Sequence, residues 1–163
     1  MAQTMIDRRD SRRKGLTTRL LHSDRLRGVE HGAPHQPLHT AAAFAYPAAR
    51  DLVEVFQGRK SGPVYARQGN PTTSALEAKV ALLENGREAA CFATGMAAIA
   101  AIAVSLLREG DHVVSSAFLF GNTNSLMQTL RGLGIAVEFV DATDAGAVRA
   151  AITPQTRLVF TET

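Results

Sequence analysis

The chain has 163 residues, of which 45% are hydrophobic and 20% charged, a composition typical of one soluble globular domain. No apolar run is long enough to cross a membrane, and no apolar core follows the first basic cluster as a secretory signal requires. A single cysteine, Cys91, excludes an intramolecular disulfide. We therefore expect a protein of the reducing cytoplasm that does not insert into membranes.

The positive charge is concentrated at the start of the chain. The formal net charge is +3, but residues 1–27 hold eight Arg and Lys against three Asp, so the remainder is slightly negative. Acidic residues interrupt the basic run, and no aromatic side chain is present there to stack on bases. We interpret this segment as a solvated arm and predict that it binds neither nucleic acid nor a membrane surface.

Residues 1–60 lack a sustained hydrophobic period. Three prolines fall within residues 31–47, which indicates an extended arm that leads to a short helix at 49–58. Such an arm cannot form a core by itself. We expect it to wrap another part of the molecule or a partner subunit.

Three histidines of this arm, His31, His35 and His39, recur every four residues, which raises the possibility of a metal site. Pro34 and Pro37 interrupt the helix that would align them. We therefore predict no metal site.

The next element is a helix predicted over 72–85. Its stripe of apolar side chains consists of Leu76, Val80 and Leu83. Asn70 and Pro71 are suited to the start of this helix and Gly86 to its end.

Two strongly apolar segments follow. Residues 88–94 predict a short buried strand, in which Cys91 is a small buried hydrophobe. Residues 96–110 predict a helix that is apolar nearly all round and ends at Gly110. A helix of this kind is typical of the interior of a larger protein.

Three further strands are predicted at 112–117, 136–142 and 157–162, separated by helices at 123–134 and 144–152. Strands that alternate with helices indicate a parallel sheet with helices on both faces.

The junction Thr94–Gly95–Met96 is a candidate anion site, because ligands of such sheets lie beyond the carboxyl ends of the strands. The free N–H groups and dipole of a helix start favour a phosphate, and Gly95 lets it approach closely. A glycine that only permits a tight turn is the alternative. The chain lacks the glycine-rich signatures of NTP and dinucleotide sites.

Two other segments offer candidate binding residues. Tyr65 and Arg67 alternate in a segment expected to be extended, so both side chains can converge on one anion. A surface Tyr and a solvated Arg are the alternative. Phe120 follows the strand at 112–117, and its ring either lies on an aromatic ligand or packs in the core.

Five stretches together resemble one family, the Cys/Met-metabolism pyridoxal-phosphate enzymes, which include cystathionine γ-synthase, cystathionine lyases and the O-acyl-homoserine sulfhydrylases. The stretches are VYARQGNPTTSALEAKVALLE, ACFATGMAAIAA, REGDHVVSS, LFGNTNS and AAITPQTRLVFTET, in the family's order and at its spacing. The resemblance covers nearly all of residues 16 to 163.

This resemblance implies an α/β protein with the type I aminotransferase-like fold. Residues 1–60 would form the N-terminal arm and a short helix, and residues 61–163 the first part of the large, mostly parallel-sheet domain that binds pyridoxal 5′-phosphate. The resemblance also implies an amino-acid substrate and a homo-oligomer, a dimer of dimers.

The same resemblance implies roles for five residues. The family residues that match Tyr65 and Arg67 reach the cofactor phosphate of the neighbouring subunit. The N–H groups that match Gly95 and Met96 bind phosphate within the same subunit. The residue that matches Phe120, usually a Tyr, stacks on the pyridine ring, and the Phe favours the sulfhydrylase branch over the cystathionine γ-lyase branch.

The family's chemistry needs a lysine that forms a Schiff base with the cofactor and a carboxylate beside the pyridine nitrogen. The resemblance puts both beyond Thr163, and Lys14, Lys60 and Lys79 are not at a carboxyl-end loop. No catalytic residue is therefore expected in this chain, which we interpret as an N-terminal fragment that is inactive on its own. The alternatives are an inactive truncated subunit that only pairs with full-length copies, and an unrelated α/β domain for a phosphate ligand.

The function that the resemblance implies is transsulfuration. The reaction is replacement or elimination at the γ-carbon of an O-acyl-homoserine, with sulfur passed from sulfide or cysteine in methionine and cysteine metabolism.

Overall fold

The computed structural model describes residues 15–23 and 30–162. Most of the basic arm, including Lys14, and Thr163 therefore lie outside the described residues. The chain divides into two compact units, one that ends at Cys91 and one that begins at Phe92. The domain boundary predicted between residues 60 and 61 stays a prediction.

The described residues of the first unit form three α-helices and a short 3-10 turn. The helices are α1 (Leu16–His22), α2 (Ala49–Phe56) and α3 (Pro71–Leu83), and the turn is Glu30–Gly32. Helices α2 and α3 confirm the predictions at 49–58 and 72–85 to within about two residues, the usual uncertainty of helix ends.

Helix α1 was not predicted, because the arm was expected to be extended. The helix lies against α3, and the Arg19 guanidinium donates to Leu82 O at 3.1 Å and to Asn85 Oδ1 at 3.3 Å. A cation at the carboxyl end of α3 interacts favourably with its dipole. The helix is therefore fixed by a tertiary contact that a local hydrophobic period does not reveal.

Helix α3 begins as predicted, with Asn70 as N-cap and Pro71 at the first helical position. It ends differently, because Asn85 (φ 51°) rather than Gly86 takes the left-handed conformation that closes the helix. Its stripe of Leu76, Val80 and Leu83 is 38–54% exposed.

The arm is tied to the segment that contains Tyr65. Phe44 N–H donates to Val64 O at 3.1 Å and Ala66 N–H donates to Ala42 O at 2.8 Å, around an antiparallel bridge between Ala43 and Tyr65. Part of the arm thus pairs with its own chain.

The second unit is a three-layer α/β structure. Its elements are α4 (Gly95–Leu106), β1 (His112–Ser116), α5 (Gly121–Gly132), β2 (Ala136–Val140), α6 (Ala145–Ala151) and β3 (Thr156–Phe160). The strand order is β2-β1-β3, and both pairings are parallel, as predicted. The connections through α5 and α6 run in opposite directions, so right-handed crossovers put these helices on opposite faces of the sheet.

The centre of this unit is β1, all five residues of which are buried. Val113 pairs in register with Val137 and Leu158. It lies in a core cluster with residues of α4, α5 and the following turn: Ala103, Leu107, Met127, Leu130 and Ile135. The strand that leads to Phe120 is therefore packed in the core of the second unit.

Two predictions for the segment before β1 were wrong. Residues 88–94 form no strand, Cys91 is only half-buried, and Phe92 is 48% exposed. A strand requires a hydrogen-bonded neighbour, and within the described ranges no strand lies beside this segment. Helix α4 ends at Leu106 instead of Gly110, because Leu107 is extended and Gly110 (φ 86°) forms a separate turn.

Candidate functional site

The site lies where β1 and β3 end side by side. Ser115 of β1 pairs with Phe160 of β3, so the residues that follow the two strands emerge at the same edge of the sheet. Phe120 and helix α5 follow β1, and Glu162 follows β3. This is the carboxyl edge, where parallel α/β sheets bind their ligands.

Glu162 links the two strand ends. Its Oε2 accepts a hydrogen bond from Phe120 N–H at 2.8 Å, and its Oε1 accepts one from the Thr123 hydroxyl at 2.5 Å. The Thr123 hydroxyl first and the Phe120 N–H second hold the pKa of Glu162 below its usual value, against a small opposing effect of burial. The carboxylate is therefore ionised at neutral pH and fixes the first turn of α5.

The start of α4 presents two unused backbone donors. Thr94 caps the helix, because its hydroxyl accepts from Ala97 N–H at 3.0 Å and its carbonyl from Ala98 N–H at 3.2 Å. The N–H groups of Gly95 and Met96 have no acceptor in the described part of the chain. No atom lies within 4 Å of the position that a Cβ of Gly95 would take, so this helix start is open to a ligand.

The starts of α4 and α5 meet through Thr123. Its hydroxyl lies 3.9 Å from the Met96 sulfur, and the residue is 1% exposed. Thr123 is one turn away from Phe120. The structure thus brings Met96 and the backbone of Phe120 to one edge of the second unit.

The Phe120 ring is 73% exposed, so the alternative of a core position is wrong. At this edge of the second unit, the exposed ring of Phe120 offers a stacking face and the start of α4 offers N–H donors for a phosphate.

Tyr65 and Arg67 converge in the first unit. The Arg67 guanidinium carbon lies 4.7 Å from the centroid of the Tyr65 ring, a cation–π contact. The segment is not extended as predicted: it turns sharply, because Gln68 N–H and Gly69 N–H both donate to Tyr65 O at 2.8 and 3.1 Å. Both side chains are exposed, and the turn rather than alternation brings them together.

Glu162 and Thr123 were missed by the sequence analysis. Glu162 comes two residues after β3, so the carboxyl-edge rule that selected Phe120 applies to it equally. Thr123 has no local signal, since its role depends on the tertiary neighbours Met96 and Glu162.

Lys60 and His39 of the first unit each lie against a carboxylate. Lys60 Nζ lies 3.1 Å from Asp51 Oδ1 in the first unit, and it is therefore held as an ion pair. Among residues 15–23 and 30–162, no group of three His, Cys, Asp or Glu side chains could hold a metal ion. His39 Nε2 of the arm lies 3.1 Å from Glu30 Oε2.

Among residues 15–23 and 30–162, no helix has the length and apolar character of a membrane span.

The donors fit pyridoxal 5′-phosphate. Two free N–H groups at a helix start suit its phosphate, and the exposed ring of Phe120 suits its pyridine ring.

Comparisons with known proteins agree with this chemistry. The model of the family described as Cys/Met metabolism PLP-dependent enzymes matches residues 17–163. The chain is 37% identical over 150 residues to an L-methionine gamma-lyase of Pseudomonas deceptionensis and 37% identical over 151 residues to an O-acetyl-L-homoserine sulfhydrylase of Corynebacterium glutamicum. Each alignment covers 91% of this chain, but only 38% and 35% of the relative, so the chain spans less than half of their length.

A solved O-acetylhomoserine (thiol)-lyase of Campylobacter jejuni, which contains an N′-pyridoxyl-lysine-5′-monophosphate, has the same fold with a TM-score of 0.80 and 26% identity. The superposition covers 90% of this chain and 36% of that one. The alternative of an unrelated phosphate-binding domain is excluded by these findings. The chain belongs to the pyridoxal-phosphate-dependent enzymes of Cys/Met metabolism.

Proposed function

We propose that the protein that carries this chain catalyses γ-replacement or γ-elimination on an O-acyl-homoserine and transfers sulfur in methionine and cysteine metabolism. The observation that supports it most directly is that a pair of free N–H groups and an exposed aromatic residue belong to two helix starts that meet at one edge of the second unit. The similarity to an O-acetyl-L-homoserine sulfhydrylase supports the choice of substrate.

The residues of this chain would bind and orient the cofactor. The N–H groups of Gly95 and Met96 would hold the phosphate, and the Phe120 ring would stack on the pyridine ring. Tyr65 and Arg67 would hold the phosphate bound by the neighbouring subunit in a homo-oligomer. The bound cofactor supplies an electron sink, which stabilises negative charge on the substrate carbons while the γ-substituent leaves.

A second candidate reaction is γ-elimination from L-methionine, favoured by the similarity to an L-methionine gamma-lyase. The two reactions differ in the leaving group, an acyl ester oxygen or a thiol, and in whether a second sulfur compound is required. Both would use the same phosphate and ring contacts.

An assay with purified protein separates them. O-acetylhomoserine with sulfide is expected to give homocysteine, and methionine alone is expected to give little 2-oxobutanoate. Rapid release of 2-oxobutanoate from methionine, without sulfide-dependent homocysteine, would favour the second candidate. A protein that turns over neither substrate but co-purifies with an active full-length relative would instead support a pairing module.

A further inference from the structure

Helix α5 differs from helices α4 and α6 in which group accepts hydrogen bonds from the backbone at its start. Thr94 caps α4 and Asp144 caps α6 with their own side chains, at 3.0 and 2.7 Å from the N–H groups that they accept. The N-cap of α5 is Phe120, which has no side-chain acceptor. A carboxylate from a different element, Glu162 beyond β3, contacts this helix start instead.

The two contacts of Glu162 hold two points of one helical turn. Phe120 N–H is the donor on one oxygen, and the Thr123 hydroxyl is the donor on the other. Two bonds to separate oxygens restrict rotation of the turn more than a single cap does. The backbone of Phe120 is therefore fixed, although its ring is 73% exposed and has few packing contacts of its own.

The same turn is also joined to the start of α4. The Thr123 hydroxyl contacts the Met96 sulfur at 3.9 Å, next to the free N–H groups of Gly95 and Met96. One carboxylate thus couples the residue that offers a stacking face to the helix start that offers phosphate donors.

We infer that Glu162 is a positioning residue for the cofactor ring: it acts through the backbone of Phe120 and the hydroxyl of Thr123 to aim the Phe120 ring at the pyridine ring. This inference rests on the proposed binding of pyridoxal phosphate at this edge. Each carboxylate oxygen of Glu162 accepts a hydrogen bond from the first turn of α5, which gives Glu162 a route to the cofactor ring through the backbone of Phe120.

The test uses pyridoxamine 5′-phosphate, which lacks the aldehyde and binds without linking to a lysine. Its dissociation constant and induced circular dichroism are measured with the protein that carries this chain, with Glu162→Ala and with Glu162→Gln. Glu162→Ala is expected to weaken binding by about three- to tenfold, the range of one well-placed aromatic contact. Glu162→Gln keeps one hydrogen-bond acceptor. Its dissociation constant is expected to lie between those of Glu162→Ala and the unaltered protein.

A double-mutant cycle with Phe120→Ala separates the effect of Glu162 on the position of the Phe120 ring from its effect on the stability of the protein. In the Phe120→Ala background, Glu162→Ala is expected to leave the dissociation constant unchanged, because no ring remains to be aimed. It should still lower the melting temperature there, because the N–H of residue 120 and the Thr123 hydroxyl still lose their acceptor. Additive effects on binding would overturn the inference.

Asp144→Ala is the matched control, since it removes another carboxylate that accepts an N–H at a helix start. It is expected to lower the melting temperature without changing the dissociation constant. If the unaltered protein binds pyridoxamine 5′-phosphate and both Glu162 variants bind it equally well, the inference alone is wrong. If the unaltered protein does not bind it, the proposed function fails and the inference fails with it.

Discussion

Glu162 also makes the stability of the site region depend on pH. Its two donors stabilise the ionised form, so its pKa in the folded protein lies below the usual 4.5. A lowered folded-state pKa contributes stability that is fully present above about pH 4.5 and is lost as the pH falls through the folded value. Protonation in acid therefore removes the folding stability that the ionised Glu162 carboxylate contributes.

We predict that Glu162→Gln lowers the melting temperature near pH 7 and that the difference from the unaltered protein shrinks below about pH 4.5. Thermal melts of both proteins between about pH 3 and about pH 7 measure this difference in melting temperature. Asp141, whose pKa is also lowered, by Thr143, is present in both proteins and cancels in the difference. A difference that stays constant or grows in acid would contradict the assignment.

Arg67 gives a second test at the scale of one residue. Its guanidinium lies on the Tyr65 ring and is exposed, so it is available to a phosphate. We predict that Arg67→Ala weakens retention of pyridoxal phosphate by about tenfold or more, the effect of one charge-assisted hydrogen bond. Arg59→Ala, at another exposed arginine of the same unit, is the control and should have little effect. Equal cofactor retention in both variants would refute the role of Arg67.

The sequence predicted some residues of the candidate site and not others, for a physical reason. Gly95 and Phe120 are detectable because a glycine at a helix start and an aromatic after a strand are local patterns. Glu162 and Thr123 act on each other across 39 positions, and their contact depends on β1 and β3 being neighbours in the sheet. Strand order is a property of the whole sheet, which the spacing of local elements leaves open.

At the scale of elements, Asn70 joins helix α3 to the arm. Its Oδ1 accepts from Thr72 N–H at 2.8 Å, and its Nδ2 donates to His39 O at 3.1 Å and to Ala41 O at 3.4 Å. The residue is 9% exposed, so each unmade bond leaves a poorly solvated polar group.

We predict that Asn70→Ala lowers the free energy of unfolding by about 2 kcal/mol, compared with about 1 kcal/mol for the single cap removed by Thr94→Ala. Asn70→Asp keeps the cap but places a carboxylate against two carbonyls. It should be no more stable than Asn70→Ala near pH 7. Urea unfolding of the variants measures the order of their free energies of unfolding. An Asn70→Asp protein as stable as the unaltered one would show that the contacts of Asn70 with the arm contribute nothing to stability.

The elements of the second unit were predicted well because each one carries its own signal. Strands β1 to β3 are short apolar runs between helix signals, and the helices have caps such as Asp144. The failures depend on tertiary context: α1 is held by the contacts of Arg19, and residues 88–94 have a strand-like composition but no strand beside them. The local composition of a segment does not show which element packs beside it in the folded protein.

At the scale of the whole molecule, apolar side chains remain exposed on α4. Ile102, Val104 and Leu106 are 45%, 71% and 56% exposed. We predict that residues 1–163, expressed alone, self-associate, because large apolar side chains exposed to water on more than one side of a helix drive association. Light scattering should show smaller particles for the double variant Val104→Gln with Leu106→Gln. Leu38→Gln, at an apolar residue 82% exposed on the arm, is the control. A monomer with a sharp two-state melt would count against the prediction.

The proposed homo-oligomer makes a prediction about how subunits share a site. If Arg67 serves the cofactor of its neighbour, each site combines Gly95, Met96 and Phe120 of one subunit with Arg67 of the other. In a hybrid dimer of one Arg67→Ala subunit and one Phe120→Ala subunit, one site then regains every binding residue and the other site loses both. If Arg67 serves its own subunit, both sites of the hybrid stay defective. We therefore predict that co-refolding the two weak-binding variants restores tight pyridoxamine 5′-phosphate sites, as measured by equilibrium titration. Separate refolding of each variant is the control, and a mixture that binds no better than the variants alone would place Arg67 in its own subunit's site.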